Sequence, residues 1–283
     1  MTYRKALWTG EYILSEAHIE DSKTDAWLLL EMICKIDKAY YFLHKDDELS
    51  AEEKQEYALV LAKRAERIPL QYITGHQEFM GLKFQVNSNV LIPRQDTELL
   101  VEHALAMLTL EKKILDLCTG TGCIAVSMAY YGKEKKVQVA ASDISKTVLL
   151  TAKENANHNQ VQVDFIRSDL FEKITEKYTM ILTNPPYIPT KVIEELQPEV
   201  RDFEPMIALD GHDDGYHFYR RIAAEAGNYL EDEGHLLLEI GNDQTVVVSG
   251  LLKESGFIDI EVKKDLSGHD RLIICRKKSN DEE

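Results

Sequence analysis

The sequence predicts an α/β protein: a doubly wound, seven-stranded, mostly parallel sheet with an antiparallel edge hairpin. A small N-terminal helical bundle precedes it, joined by a β-hairpin. Three observations predict this. Apolar residues before about residue 70 recur at helical spacing, with no strand period. From residue 112 onward, short apolar runs alternate with helical stretches, the pattern of parallel strands buried on both faces. The last two apolar runs lie too close together to fit a helix between them, so they must pair antiparallel at one edge.

Taken in order, Ala26, Leu29, Leu30, Ile33 and Cys34 fall on one helix face. Ser50 and Glu53 have capping-box spacing. Ala58, Leu61, Ala62 and Ala65 follow as a second apolar stripe, which Pro69 ends. Leu82, Phe84 and Val86 alternate with polar residues between Gly81 and the Asn87-Ser-Asn89 turn, as a hairpin does. Val101, Ala104, Leu105 and Leu108 mark a helix after Pro93. Strands are expected over 113–117, 137–142, 161–166, 180–183, 235–240, 258–262 and 272–275. Helices are expected over 123–131, 146–157, 216–230 and 246–253. The expected division is a helical domain over 1–74, a hairpin linker over 75–92 and an α/β domain over 93–283, with a frayed tail from Lys277 to Glu283.

At 283 residues the chain is long for one core, which favours two domains. It carries 33 basic and 49 acidic residues, a net charge of −16. Tight nucleic-acid binders draw affinity from a basic face, so this balance favours a protein or small-molecule substrate. The cysteines, Cys34, Cys118, Cys123 and Cys275, form no C-x-x-C pair, which argues against a zinc site or a disulfide framework. The start MTYRKALWTGEYI lacks a signal-peptide core, and no apolar run reaches the roughly 18 residues of a membrane span. A reduced, cytoplasmic protein is the expectation, with no bound metal and a monomeric state.

Asp116-Leu-Cys-Thr-Gly120-Thr-Gly122 falls where the first strand of the α/β part meets its first helix. Ligands of open α/β sheets bind at such turns, and small residues let the backbone approach them. The pattern also suits a dinucleotide, because Ala125 stands where that fingerprint tolerates alanine. Asp143 ends the second strand, where a carboxylate can accept both hydroxyls of a ribose; the competing role is a cap on the next helix. Asp169 ends the third strand, where it can accept from an adenine amino group. Asp116, Asp143 and Asp169 thus form a series of strand-end acids.

Asn184-Pro-Pro-Tyr187 follows the fourth strand, on the same rim. Two prolines lock φ and remove two donors while their carbonyls remain acceptors. A carboxamide or adenine NH₂ is planar and a poor nucleophile, with two N–H donors. The Asn184 side-chain oxygen and the Pro185 carbonyl can accept one each, and Tyr187 offers a flat face. Held this way, the nitrogen can be aimed at an electrophile without a strong base. The segment suits glutamine and adenine equally.

Six segments then carry a family resemblance over nearly the whole chain. They are Arg67-Ile-Pro-Leu-Gln-Tyr-Ile-Thr-Gly75, Val90-Leu-Ile-Pro-Arg-Gln-Asp-Thr-Glu98, Leu115-Asp-Leu-Cys-Thr-Gly-Thr-Gly-Cys-Ile-Ala125, Asn184-Pro-Pro-Tyr-Ile188, Phe203-Glu-Pro-Met-Ile-Ala-Leu209 and Asp214-Gly215. With them the chain resembles the peptide chain release factor glutamine methyltransferases. The resemblance implies transfer of a methyl group from S-adenosylmethionine to the side-chain amide nitrogen of the glutamine in the Gly-Gly-Gln loop of class 1 release factors. It implies that Cys118, Thr119, Gly120, Thr121, Gly122, Asp143, Leu170 and Asn184 line the cofactor site. It further implies that Asn184, Pro185, Pro186 and Tyr187 hold the glutamine, and that the helical domain docks the release factor. Arg94 and Thr97 would lie over the methionine end of the cofactor; the competing reading for Arg94 is a surface ion pair with Asp96 or Glu98. Relatives usually carry glycine where Cys118 stands, and some carry an aromatic where Leu170 stands. An ordinary backbone with the thiol packed nearby is expected at Cys118. Lys63, Arg64 and Arg67 are expected to form a solvated helix face.

The alternatives are a glutamine methyltransferase acting on a ribosomal protein, an adenine-N6 methyltransferase acting on nucleic acid, and a cofactor-binding regulator without catalysis. The intact Asn-Pro-Pro-Tyr segment and acidic series argue against the regulator. The charge of −16 and the helical front domain argue against the nucleic-acid enzyme.

Overall fold

The structure is a computed structural model and describes residues 1–279. It divides into two units, one of Met1–Gly75 with Gln197–Phe203, the other of His76–Leu196 with the chain from Glu204 onward.

The first unit is helical: α1 (Tyr3–Glu16), α2 (Ser22–Cys34), α3 (Lys38–His44), α4 (Ala51–Ala65) and α5 (Leu70–Thr74). Thr2 caps α1 by accepting from the Lys5 backbone N–H. The Ser50–Glu53 capping box forms at α4, with bonds of 3.1 and 2.7 Å in the two directions. Such a cap contributes about 1 kcal/mol. Ala26, Leu29 and Leu30 of α2 are fully buried, with Leu14, Tyr57 and Leu61 in the same core.

The buried face of α4 is rotated from the expected one. Tyr57, Val60, Leu61 and Arg64 point inward, while Ala58 and Ala62 are exposed. The Tyr57 hydroxyl donates to the Ala26 carbonyl at 3.0 Å, so the phenol is satisfied inside the bundle. Arg64 is drawn inward by Asp25 at 2.6 Å and by Glu199 at 3.0 Å. Arg67 takes the other oxygen of Glu199 at 2.6 Å. The solvated basic face expected at Lys63, Arg64 and Arg67 is therefore corrected: only Lys63 is exposed. A charge stripe alone does not reveal acidic partners so distant in sequence.

The second unit begins with the hairpin β1 (His76–Phe79) and β2 (Leu82–Gln85). Phe79, Leu82 and Phe84 are buried in this unit's core. Next come α6 (Glu98–Ala106), β3 (Lys113–Leu117), α7 (Cys123–Tyr131), β4 (Gln138–Asp143), α8 (Lys146–His158), β5 (Asp164–Arg167) and β6 (Tyr178–Thr183). Three short helices follow, α9 (Thr190–Ile193), α10 (Pro198–Phe203, in the first unit) and α11 (Met206–Leu209). The chain ends with α12 (His217–Tyr229), β7 (Leu230–Glu239), α13 (Thr245–Glu254), β8 (Phe257–Lys264) and β9 (Asp270–Lys277).

The seven-stranded sheet has the order β5-β4-β3-β6-β7-β9-β8. Every pairing from β5 to β7 is parallel, and β9 is antiparallel to both β7 and β8. This is the predicted fold class, edge hairpin included. Period two divides each strand between two cores. Ile114, Met180, Leu182 and Leu237 pack on the side of α6 and α7. Leu115, Leu117, Ile181, Leu236 and Leu238 pack on the side of α12 and α13. Strand order reverses between β3 and β6, so the carboxyl ends of these strands open a crevice at the switch point.

Most element boundaries fall within two residues of the sequence reading, and two strand starts differ by more. The third strand starts at Asp164, and the strand expected from residue 235 starts at Leu230, pairing through an irregularity between Tyr178 and Met180. Lys277 belongs to β9, and residues 280–283 of the expected frayed tail lie outside the described residues.

Candidate active site

The turn between β3 and α7 is left-handed at three residues: Cys118 (φ 59°), Gly120 (φ 55°) and Gly122 (φ 81°). At Gly122 a side chain would also meet the Ala152 Cβ at 3.2 Å, so strain and close packing both require glycine. Beside Gly120 there is open space where a side chain would stand. The expectation of an ordinary backbone at Cys118 is corrected: it sits in the region that costs a non-glycine residue roughly 1–2 kcal/mol. The turn takes this shape because its other bonds fix it. Thr119 N–H donates to the Ser142 carbonyl at 3.0 Å, and Gly122 N–H to the Thr119 carbonyl at 2.8 Å.

Asp116 lies beneath the turn. It is fully buried, with one oxygen accepting from the Thr119 hydroxyl at 2.5 Å and the Ala125 backbone N–H at 3.1 Å. Its other oxygen has no hydrogen-bond partner among the described residues. Burial pushes its carboxyl up to about 7, against those two bonds. It holds the turn in place and is not on the cavity wall.

A cavity of about 390 Å³ opens above the turn, within the usual range for small-ligand clefts. Cys118, Thr119, Gly120, Thr121, Asp143, Asp169, Leu170, Asn184 and Pro186 line it. Of the other predicted site residues, Asp116, Gly122, Pro185 and Tyr187 do not. Asp143 accepts from the Gly120 backbone N–H at 3.2 Å and from the Ser145 backbone N–H at 2.9 Å. Ser145 caps α8, so capping is not the task of Asp143. Burial raises the Asp143 carboxyl, and the backbone N–H groups of Ser145, Gly120 and Ile144 pull it back. Each of its oxygens keeps a lone pair for a ligand hydroxyl. Asp169 accepts from Arg221 at 2.9 Å, which turns the third strand-end acid into half of an ion pair at the cavity wall.

Asn184-Pro-Pro-Tyr187 leaves the end of β6, where the Thr183 hydroxyl donates to the Leu117 carbonyl at 3.0 Å and ties it to β3. The Asn184 amide nitrogen donates to the Thr97 hydroxyl at 3.2 Å, and that hydroxyl donates to Glu239 at 2.6 Å. The Tyr187 hydroxyl reaches the other oxygen of Glu239 at 3.5 Å. The Tyr187 carbonyl accepts from the Gln244 side chain at 3.0 Å. Gly211 backs the segment so closely that an added Cβ would lie 2.8 Å from the Tyr187 backbone.

Several wall residues were not found from sequence. His212, His217, Phe218 and Arg221 come from α12 and the loop before it. Glu239 is the larger omission. It ends an apolar strand in Leu-Leu-Leu-Glu, the same strand-end signal that singled out Asp116. Arg94 lines the cavity and pairs with Glu204 at 2.6 Å, so neither carboxylate expected for it is its partner. Asp96 instead faces Arg271 at 3.3 Å, and Glu98 accepts from the Met80 backbone N–H.

The sheet order, the small-residue turn and the acidic strand ends together define a methyltransferase of the α/β class. A methyltransferase from Pyrococcus furiosus shares the fold, with a TM-score of 0.54 at 15% identity, covering 79% of this chain and 98% of that one. The family models agree: residues 5–75 match the PrmC N-terminal domain, and residues 94–197 match the methyltransferase small domain. The chain is 40% identical to a release factor glutamine methyltransferase of Geobacter sulfurreducens, over 96% of this chain and 95% of that protein. It is 37% identical to one of Clostridium acetobutylicum, over 97% and 98%. The chain belongs to the release factor glutamine methyltransferases. Among the described residues, no helix is long and apolar enough to cross a membrane, and no cluster of His, Cys, Asp or Glu is placed to hold a metal ion.

Proposed function

We propose that the chain transfers a methyl group from S-adenosylmethionine to the side-chain amide nitrogen of the glutamine in the Gly-Gly-Gln loop of class 1 release factors. The observation that carries this reading is the position of Asn184 on the rim of the same cavity that the Gly120 turn and Asp143 line. Acceptor and cofactor sites then share a wall.

The residues present fit the cofactor. Gly120 leaves open space against the turn. Asp143 supplies a carboxylate for ribose hydroxyls, while Ile144, Val148 and Leu170 give the cavity apolar surface for a flat base. When bound, the cofactor supplies an electrophilic methyl on a sulfonium. The chain's own contribution is position. The Asn184 side-chain oxygen and the Pro185 carbonyl accept the two amide protons of the glutamine, and the Tyr187 ring supports its plane. Alignment of this kind accounts for roughly 7–11 kcal/mol of barrier reduction in favourable cases. Acceptors fixed where positive charge grows add to it. The amide proton becomes acidic once the nitrogen is alkylated, so no strong base has to act first.

The helical domain, residues 1–74, is assigned the docking of the release factor, and the chain is assigned to the cytoplasm as a monomer. The test is transfer of labelled methyl to a purified class 1 release factor, followed by mapping of the label. Label is expected on the Gly-Gly-Gln glutamine and is expected to fall roughly 10²–10³-fold in Asn184→Ala. Label on nucleic acid with none on the release factor would overturn the reading.

A further inference from the structure

Glu239 is the buried group that the reaction as described leaves unused. It ends β7 at 2% exposure, on the sheet face away from Leu238. Its backbone carbonyl accepts from the Tyr219 hydroxyl at 3.0 Å, which pins the strand end. Its side chain touches both ends of the Asn184–Tyr187 segment, one through Thr97 and one directly.

The chemistry of that chain of bonds has a direction. An ionised carboxylate only accepts. With Glu239 ionised, the single O–H of Thr97 is committed to it, and the Thr97 oxygen can only accept from Asn184. The Asn184 amide must then present its NH₂ to Thr97 and its carbonyl oxygen to the opposite side, where a methyl acceptor needs an oxygen and not a second NH₂.

We infer that Glu239 is a positioning residue: through Thr97 it fixes which end of the Asn184 amide faces the methyl acceptor, and through the Tyr187 hydroxyl it holds the far end of the same segment. The inference rests on the reading of Asn184 as acceptor for the substrate N–H. Protonating Glu239 removes the direction, since a carboxylic acid can donate to Thr97 and free that hydroxyl to donate to Asn184. The same holds for glutamine at 239, whose amide can face Thr97 either way. The titratable and charged groups that face Glu239 are Arg271 from β9, Asp96 from the turn before α6, Cys123 from α7, Tyr219 from α12, and Tyr187 itself. Arg94 faces Tyr187 in turn.

The test compares Glu239→Gln, Thr97→Val and Thr97→Ser with the native protein. Thr97→Val is nearly isosteric, so it breaks the same link if Glu239→Gln fails to fold; melting temperatures check both. In protein with ¹⁵N-labelled asparagine, one Asn184 amide proton (identified by its loss in Asn184→Asp) is expected to exchange slowly in the native protein and in Thr97→Ser. Its protection is expected to vanish in Thr97→Val and Glu239→Gln. This readout needs no methyl acceptor, so it stands or falls separately from the choice of substrate. Turnover with the release factor is expected to fall roughly 100-fold in kcat for Glu239→Gln and Thr97→Val, as a misplacement near 1 Å does. Thr97→Ser keeps the hydroxyl and is expected to bring kcat back to within about threefold of the native value, and calorimetric affinity for S-adenosylmethionine is expected to stay within about threefold in Glu239→Gln, because Glu239 does not line the cavity. Unchanged Asn184 protection in both broken-link variants, or a loss confined to cofactor affinity, would overturn the inference.

Discussion

The helical unit sets its inward carboxylates against arginines, whereas the sheet unit, besides its Arg94–Glu204 pair, also buries carboxylates with no cation bound to them. In the helical unit Arg64 lies between Asp25 and Glu199, and Arg67 meets Glu199 from the other side, so every buried carboxylate there faces a guanidinium. In the sheet unit Asp116 and Glu239 are held by hydroxyls and a backbone N–H, and neither has an ion-pair partner among the described residues. Ionisation follows the number of cations as well as burial: burial raises the Asp25 carboxyl even against its bond from Arg64. Burial raises Glu199, yet bonds from its own backbone, Arg64 and Arg67 bring it below the usual carboxylate range. Burial pushes Asp116 and Glu239 up to about 7. A carboxylate bound by two guanidiniums, as Glu199 is, stays charged and fixes a structure. A buried carboxylate held by neutral donors stays close to its ionisation boundary, where its proton state sets the direction of neighbouring hydrogen bonds.

The sharpest way to break this comparison is to remove a cation from the paired set. Arg64→Ala leaves Asp25 buried without its partner and releases one oxygen of Glu199. Both side chains of the Arg64–Asp25 pair are 8% exposed, so solvent screening does little to reduce the loss. A cost of about 3–5 kcal/mol to the helical unit is expected, read from denaturant unfolding. The cause is the uncompensated Asp25 charge more than the lost attraction. Arg64→Ala combined with Asp25→Ala is therefore expected to recover part of it. No recovery in the double variant would mean that packing, and not charge, dominates there.

The next effect tests the unpaired set through pH. The Glu239 carboxyl is raised from its ordinary value of 4.5 to about 7 in the folded protein. Between these values the folded chain keeps a proton that the unfolded chain has lost, so stability falls as pH rises through that window. The fall amounts to about 3 kcal/mol if the whole shift is expressed. Glu239→Gln has no such proton and is expected to flatten the stability profile between about pH 4.5 and 7, leaving the Asp116 contribution in place. Parallel profiles for the two proteins would show that Glu239 titrates normally.

The contrast also explains how much was legible in the sequence. The strands, their order class and the edge hairpin follow from apolar period and spacing, which act locally. The Gly120 turn, Asp143 and Asn184 were legible because strand ends in an open α/β sheet converge on one rim. The pairing of Arg64 and Arg67 with Glu199 was not, because an ion pair across more than 130 residues leaves no local period. Glu239 left a signal, an acid ending an apolar strand, but its meaning depends on Thr97, 142 residues away. Arg221 lay in an ordinary amphipathic helix, and nothing in the sequence placed it against Asp169.

The smallest expected effect concerns strain, a third device that only the sheet unit places at its cavity. Cys118 holds φ at 59° in the turn that faces the cavity. Burial raises its thiol, with the Asp143 and Asp116 charges adding to the rise, so it stays protonated and unreactive. Its side chain is therefore not the reason for the conformation; the bonds of Thr119 and Gly122 are. Cys118→Gly removes the left-handed penalty of roughly 1–2 kcal/mol. It adds roughly 0.5–1 kcal/mol of chain entropy to the unfolded state. A net gain of at most about 1 kcal/mol remains, a few degrees in melting temperature for a domain of this size. Cys118→Ala keeps the strain and loses the thiol's packing, so it is expected to melt below both Cys118→Gly and the native protein. If the alanine variant instead matches the glycine variant, the turn relaxes without glycine and Cys118 stores no strain.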